Sequence, residues 1–416
     1  MQPQPNPNRP AAVQDPKYEF KAVALLALGM GMVGLDRFLI NPLFPVMQKE
    51  LSLDYQDLGL ISAVLALAWG VASIVGGRLS DRVGHKRVLV PAMLIFSLLV
   101  ATSGLATGLI SLMVIRGVMG LAEGAYVPAA VVATMEASKP TRLGLNIGLQ
   151  QLAQPFFGMG LGPVIAIALL KVVPSWHWVF AAVALPGLLL ALVMAKALKS
   201  RPPTAVVTRV PAGDANWTQV LRYRAVLVNT AAMLCYLTCV ITMSAFMPSY
   251  LTDHLKLNLD QMGTVLAGLG AGSFIGMVAI PALSDRLGRK PVIMVALVVE
   301  VVALALLPGI GAEPGKLFAT LFVAAVMNSG VIALTVGPLT GTAVPPHLAA
   351  SATGMVVGLG EILGGAVAPA VAGALAHRLG ITVIPTIALI SIIVSFIVVL
   401  FGVREPKVSA LGMRPA

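Results

Sequence analysis

The sequence is poor in charged residues. Asp, Glu, Lys and Arg make up 11% of its 416 residues, whereas they make up about 25% of a typical soluble protein. Hydrophobic residues account for 58% of the chain, and the mean hydropathy is +0.92. This composition excludes an ordinary soluble domain and indicates a helical protein that crosses a membrane many times.

Cysteine is almost absent, and so are the residue patterns that carry enzymatic chemistry. The two cysteines, Cys235 and Cys239, lie one helical turn apart in an apolar segment without a neighbouring histidine or carboxylate. They indicate neither a disulfide framework nor a metal site, and we interpret them as packing residues. The sequence also lacks a nucleophile elbow and a phosphate-binding glycine loop. We therefore expect a protein that is not an enzyme and holds no metal or cofactor.

Long apolar segments divide the chain into twelve predicted spans, each long enough to cross a bilayer. They cover residues 20–47, 57–77, 88–106, 109–135, 144–170, 178–196, 225–250, 262–282, 291–310, 317–343, 351–376 and 380–402. The first run has no small-residue cleavage signal, so we interpret it as a retained span and not as a signal peptide.

The longest polar interruption separates six spans from six. We predict an all-α membrane protein with two helical bundles, residues 20–196 and 225–403, joined by a cytoplasmic linker at 197–224. Polar tails at 1–19 and 404–416 flank the bundles, and the first tail, rich in proline, is predicted to be disordered.

The basic residues predict the orientation. Of 28 Lys and Arg, two lie inside spans and five lie in the loops of one side, Lys49, Lys171, Lys256, Lys316 and Arg378. The other 21 lie in the alternate segments, which the positive-inside rule places in the cytoplasm together with both termini. This distribution argues against a nucleic-acid partner despite the net charge of +11. A short chain without large loops indicates the inner membrane of a bacterium.

The two halves repeat each other. Asp81 after span 2 corresponds to Asp285 after span 8, and residues 148–163 match residues 354–369 in their end Gly and Pro. Both halves have the same orientation, which makes this a parallel repeat. Transporters built in this way bind their substrate near the membrane midplane, between the halves.

Four charged residues lie inside two predicted spans, Asp36 and Arg37 in span 1 and Arg116 and Glu123 in span 4. Arg116 and Glu123 are seven residues apart, roughly two helical turns, and share a face. An ionisable group at the bilayer centre costs about 2.5–3.5 kcal/mol, so such groups usually face a cavity and carry function. Guanidinium groups form paired hydrogen bonds with carboxylates, so the two arginines are candidates for binding an anionic ligand. The alternative is that Arg116 and Glu123 form a buried structural ion pair.

The loops after spans 2 and 8 read GRLSDRVGHKR and ALSDRLGRKP. With the six-plus-six layout, they resemble the signature of the major facilitator superfamily, which implies transport by alternating access and, as the usual state, a monomer. In that superfamily the loop is a conformational latch. The resemblance assigns this role to Gly77, Asp81, Arg82, Gly84, Asp285 and Arg286.

Three further motifs resemble the anion:cation symporter family: LDR at 35–37, R-x-x-x-G-L-x-E-G-x-x-x-P-A at 116–129 and SWHWVF at 175–180. This resemblance implies import of an organic anion together with protons. By motif position, Arg116 would bind the anion. Asp36 and Glu123 would be the protonatable carboxylates, and Arg37 would pair with them.

Other polar residues inside spans are candidates for lining the substrate site. They are Asn41, Tyr126, Gln150, Gln154, Tyr236 and Asn328. For the glutamines, hydrogen bonding between helices is the alternative. Glu361 in span 11 is interpreted as a second proton site or a Na⁺ ligand, and otherwise as a structural hydrogen-bonding group. Glu300 in span 9 is interpreted as a protonated group that faces either lipid or the packed neighbouring helices.

The sequence thus predicts proton-coupled uptake of a small organic anion, such as a sugar acid, a small monocarboxylate or an aromatic acid. Na⁺ remains an alternative coupling ion. The alternative function is a drug or metabolite exporter of the same fold. Such an exporter would exchange its substrate for protons, and its substrates would not need to be anionic. A membrane sensor that transports nothing is disfavoured by the intramembrane charges.

Overall fold

The computed structural model describes residues 16–199, 217–345 and 348–403. These residues contain twelve helices long and apolar enough to cross a membrane, as predicted. They are α1 Pro16–Leu51, α2 Tyr55–Val83, α3 His85–Ser103, α4 Leu109–Ala137, α5 Pro140–Leu170, α6 Trp176–Ala197, α7 Arg224–His254, α8 Leu259–Leu287, α9 Arg289–Gly309, α10 Pro314–Leu339, α11 Ser351–Leu379 and α12 Val383–Gly402.

Helix α1 begins before the apolar run from which its span was predicted, because its first turn docks on the start of α5. The Glu19 carboxylate is buried and accepts hydrogen bonds from the Lys139 amide and the Asn146 side chain, both at 3.0 Å. The predicted tail at 1–19 therefore overlaps the helix, and its residues 1–15 lie outside the described part. So do residues 200–216 of the linker and the tail at 404–416.

The internal repeat is visible at the ends of α2 and α8. Gly84 and Gly288 follow these helices with φ of 91° and 90°. Their amides donate to the carbonyls of Ser80 and Ser284, four residues earlier in each case. A positive φ of this size favours glycine, which has no Cβ to clash with the backbone. The two latch loops are thus the same structural unit, once in each half.

Several helices are irregular near the middle of the bundle. Helix α1 is interrupted at Leu39, and π-helical segments occur at Phe156–Leu161 in α5 and at Glu361–Val367 in α11. The two π-helical segments lie in the stretches that the sequence repeat matches. Such segments free backbone groups from regular pairing and are common at functional sites.

The two halves meet at one end of the bundle, which we call the closed end; it carries the loops at 52–54, 255–258 and 380–382. Polar pairs cross between the halves here, Gln48–Asp253, Tyr55–Asp253, Asp54–His377 and Lys171–Asp260. Nearer the middle of the bundle, the backbones of α5 and α8 also touch, because a Cβ added at Gly270 would overlap Gly160. Small residues permit such close helix packing in membranes.

The opposite end, which we call the basic end, carries the loops at Gly84 and Gly288. The glycines of α5 and α11 nearest this end, Gly144, Gly148 and Gly354, have no heavy atom within 4 Å of an added Cβ. Contacts between the halves are therefore concentrated away from the basic end. If the basic end faces the cytoplasm, as the sequence predicts, this conformation faces inward.

The close approach of Gly270 to Gly160 gives a test of the contact between the halves, which runs from the middle of the bundle to the closed end. We expect Gly270→Ala to separate the halves there, because overpacking costs about 1–3 kcal/mol. Spin labels at Lys171 and Asp260 should report a longer distance than in the unsubstituted labelled protein. Gly276→Ala is the matched control, because its Cβ would meet Val326 of the same half. An unchanged label distance in Gly270→Ala would contradict this closure.

Candidate functional site

A small cavity lies between the halves at the level of the intramembrane charges. Its polar lining comes from Arg37, Asn41, Ser62 and Arg116, and its apolar lining includes Phe38, Ile61, Leu65 and Ile241. The volume is ≈20 Å³, which is room for about one water molecule. Helices of both halves contribute, so a ligand bound here would contact both.

Arg37 lies just before the interruption of α1 and forms an ion pair across the halves. Its Nη2 atom donates to Glu361 Oε2 of α11 at 2.8 Å, and the two side chains are 7% and 12% exposed. The guanidinium also lies over the Trp69 ring, 5.6 Å from the ring centre. The sequence motif assigned Arg37 to Asp36 and Glu123, whereas its direct partner is Glu361.

Arg116 ties α4 to α1. Its Nη1 atom donates to the Asp36 backbone carbonyl at 2.9 Å, while its Nε has no hydrogen-bonding partner among the described residues. The Asp36 carboxyl group is buried and lies within electrostatic range of Arg116 and Glu123. Arg116 therefore keeps donor capacity free for a ligand in the cavity that it lines.

Glu123 is the least satisfied charged group of the site. It is 0% exposed, and neither carboxyl oxygen has a hydrogen-bonding partner among the described residues. Arg37 and Arg116 are the cations within its electrostatic range. The structure thus brings the four predicted charges together and adds Glu361 to them. A buried carboxyl group without a fixed partner can gain or lose a proton without breaking a hydrogen bond.

Three other predicted residues also lie between the halves or in their interior. Asn41 lines the cavity and donates to the Ser244 hydroxyl of α7 at 3.3 Å. Gln150 is fully buried, and its amide group has no partner among the described residues. Gln154 is half-buried, and its backbone carbonyl packs against Gly34 of α1.

Tyr126 and Tyr236 lie away from the cavity. Tyr126 packs inside the first half, with its hydroxyl against Gly29 and its ring edge-on to Phe96 at 5.9 Å. Tyr236 is buried in the second half near Thr335 and Ser395. Neither residue lines the space between the halves.

Asn328 belongs to a buried group inside the second half. Its amide donates to Glu300 Oε1 at 2.8 Å, and Cys239 contacts the same oxygen at 3.5 Å. Glu300 is 0% exposed, so it faces packed helices and not lipid. This network links α7, α9 and α10 and lies apart from Arg37 and Arg116.

The predicted latch residues lie at the basic end. Arg82, Asp285 and Arg286 are exposed, and Gly77 lies within α2, while the Asp81 side chain lies outside the described part of the structure. The residue after each latch glycine reaches a neighbouring helix. His85 contacts Glu136 of α4 at 3.2 Å, and Arg289 donates to the Pro338 carbonyl of α10 at 3.1 Å.

The pairing of Arg37 with Glu361 was missed from the sequence. The repeat contained a signal for it, because the matched segments 148–163 and 354–369 place Glu361 opposite Pro155, next to Gln154. Gln154 was itself a predicted candidate for lining the substrate site. The positions of Ser62 and Ser244 in the same space had no sequence signal.

Comparisons with known proteins agree with this architecture. The family model described as Major Facilitator Superfamily matches residues 26–360 and 230–416. A hexuronate transporter of Bacillus subtilis is 27% identical over 263 residues, 62% of each chain. A probable 4-methylmuconolactone transporter of Cupriavidus pinatubonensis is 26% identical over 64% of this chain and 63% of its own. In both pairs the match spans less than two thirds of the relative.

A third relative and two solved structures complete the comparison. A 4-hydroxybenzoate transporter of Pseudomonas putida is 30% identical over 43% of this chain and 39% of its own. A bacterial homologue of the lysosomal transporter Spinster, inward-facing and unoccupied, has a TM-score of 0.72 at 14% identity, covering 93% of this chain and 96% of its own. A nucleoside transporter has a TM-score of 0.73 at 15% identity, covering 90% and 98%.

The Glu300 network gives a test of Asn328. We expect Asn328→Ala to lower the free energy of unfolding by about 1–3 kcal/mol, because it removes the amide donor from a buried carboxyl oxygen and leaves only the weaker contact with Cys239. Thermal unfolding of the purified protein measures this loss. Asn41→Ala is the comparison variant, because the hydrogen bond from Asn41 to Ser244 joins the two halves beside the cavity. If Asn328→Ala kept full stability but lost ligand binding, Asn328 would belong to the substrate site.

Proposed function

Because the chain belongs to the major facilitator superfamily, we propose that it is a secondary transporter that takes up an organic anion together with protons. The supporting observation is that two arginines, Arg37 and Arg116, line one buried cavity between the halves. Buried cations at the centre of a membrane protein require anions, and a cavity between two halves is where a transported ligand binds.

Arg116 is the primary anion-binding group in this proposal. Its Nε is free among the described residues, and guanidinium binds carboxylate through parallel hydrogen bonds with a fixed geometry. Its bond to the Asp36 carbonyl holds the side chain in place. A ligand carboxylate entering the cavity would therefore meet an oriented donor group.

Charge balance couples protons to the anion. The site holds two cations, Arg37 and Arg116, and three carboxyl groups, Asp36, Glu123 and Glu361. An anionic ligand adds a further negative charge, and unbalanced charge in a low-dielectric interior is costly. Uptake of at least one proton restores the balance. Asp36 and Glu123 are the proposed sites, because both are buried next to Arg116.

The cavity favours a carboxylate with a compact or apolar body. Phe38, Ile61, Leu65 and Ile241 form its apolar walls, whereas Asn41 and Ser62 supply few groups for sugar hydroxyls. The names of the relatives include both a hexuronate and a hydroxybenzoate transporter. We propose an aromatic acid or a small monocarboxylate, taken up across a bacterial inner membrane with both termini in the cytoplasm.

Thermal stabilisation by a carboxylate panel tests this proposal. A ligand that binds only the native state raises stability by mass action, about 2.7 kcal/mol at 100 times Kd. We expect at least one carboxylate to stabilise the wild type and not Arg116→Ala, with an intermediate effect in Arg116→Lys. Arg222→Ala, at an exposed arginine outside the cavity, should respond like wild type. Stabilisation by neutral or cationic compounds alone would favour the exporter.

A further inference from the structure

We propose that Glu361 is a resident carboxylate that occupies the anion position at Arg37 in the empty transporter, and that the transported carboxylate displaces it. This inference rests on the proposed function and extends it, because it gives Arg37 and Glu361 a shared part in binding. Displacement of Glu361 from Arg37 would also break the ion pair that joins the halves at this level. The position of Glu361, the size of the cavity and the local helix structure support it.

The Arg37–Glu361 pair has the geometry of a bound ligand. One Glu361 oxygen lies 2.8 Å from Arg37 Nη2, and both side chains are largely buried. The rings of Phe38 and Trp69 flank the guanidinium at 5.7 and 5.6 Å. These contacts leave few directions from which another anion can approach. A ligand carboxylate in the same place would make the same charge-assisted hydrogen bond.

The cavity beside this pair is too small for a substrate. Its volume of ≈20 Å³ holds about one water molecule, whereas ligand pockets measure about 300–1,000 Å³. Gly365, one turn after Glu361, forms part of the cavity lining, and a Cβ added there would lie 2.7 Å from Glu361 Oε2. The Glu361 carboxylate thus lies directly behind Gly365 in the cavity wall and against Arg37, so it must move before a ligand can take its place at Arg37.

The backbone around Glu361 allows such a movement. Glu361 begins the π-helical segment Glu361–Val367, which contains Gly364 and Gly365. A π-helical segment can return to α-helical pairing, which rotates the side chains that precede or follow it. Towards the basic end, Gly358 of the same helix has no heavy atom within 4 Å of an added Cβ. The released side chain therefore has space on the side where the halves are apart.

Release leaves Glu361 without a cation. The segment 361–367 packs against α2, α7 and the rest of α11. Helix α2 has no titratable residue between Asp57 and Ser73, and α7 contributes Cys235, Tyr236 and Cys239 at this depth. Glu123 is a further charged group within electrostatic range of Arg37. Arg116 lines the same cavity as Arg37, but its own counter-charges are Asp36 and Glu123. A proton is then the available counter-charge, so each anion that displaces Glu361 brings one proton to it.

Titration calorimetry on purified Glu361→Gln tests the displacement. The probes are acetate, benzoate, 4-hydroxybenzoate and glucuronate, each titrated in two buffers of different ionisation enthalpy to count protons. Without the competing carboxylate, we expect the Kd of the bound probe to fall at least about five-fold, the lower range of coupling between sites. The number of protons taken up on binding should fall by about one.

Two further variants make the result specific. Glu300→Gln changes another buried carboxyl group that does not contact Arg37, and it should keep the wild-type Kd and proton count. Glu361→Asp retains a carboxylate one methylene shorter, so it should show an intermediate Kd and wild-type proton uptake. Glu361→Asp also provides a test of the displacement if Glu361→Gln is too unstable to purify.

The outcomes separate this inference from the proposed function. Equal or weaker binding by Glu361→Gln, with the wild-type proton count, would overturn the displacement. If Arg116→Ala then still abolished binding, the proposed function would stand without it. If no carboxylate bound to wild type or Glu361→Gln, the proposed function and this inference would both be wrong.

Discussion

The free-energy cost of burying charge away from water governs this structure. Five ionisable side chains meet inside the bundle. Groups of other helices hold Arg37 and Arg116, whereas neither carboxyl oxygen of Glu123 has a hydrogen-bonding partner among the described residues. Arg37 reaches Glu361 across the halves, and Arg116 reaches the Asp36 carbonyl. Because a buried charge without a partner is costly, these groups constrain each other. A change in the charge of one alters the favoured arrangement of the rest.

In the proposed mechanism, the surrounding fold converts such a local change into movement of the two halves relative to each other. A close glycine contact between α5 and α8 holds the halves together near the middle of the bundle, and polar pairs around Asp253 do so at the closed end. At the basic end the predicted latch residues Arg82, Asp285 and Arg286 are exposed. The Arg37–Glu361 pair lies between these two ends. It is therefore placed where ligand binding can influence both.

Much of this architecture follows from the sequence, because apolar run length and basic-loop spacing report on the bilayer directly. The twelve helices and the repeated glycines Gly84 and Gly288 were predictable in this way, and so was the convergence of Asp36, Arg37, Arg116 and Glu123. Tertiary packing decided the remainder. Tyr126 and Asn328 point into the interiors of separate halves, and a helical pattern alone does not tell an interior face from a cavity face. The partner of Arg37 lies 324 residues away, beyond any local pattern.

The most direct measurement is the direction of proton movement when an anion gradient drives the reconstituted transporter. Liposomes would carry the purified protein in their membrane and a pH indicator in their lumen, with the same pH inside and outside. The carboxylate that stabilises the protein in thermal unfolding would then be added outside. We predict that the lumen acidifies as the anion enters, and that Glu123→Gln reduces this acidification while anion exchange continues. Proton movement opposite to the anion, or anion entry without proton movement, would contradict uptake of the anion together with protons.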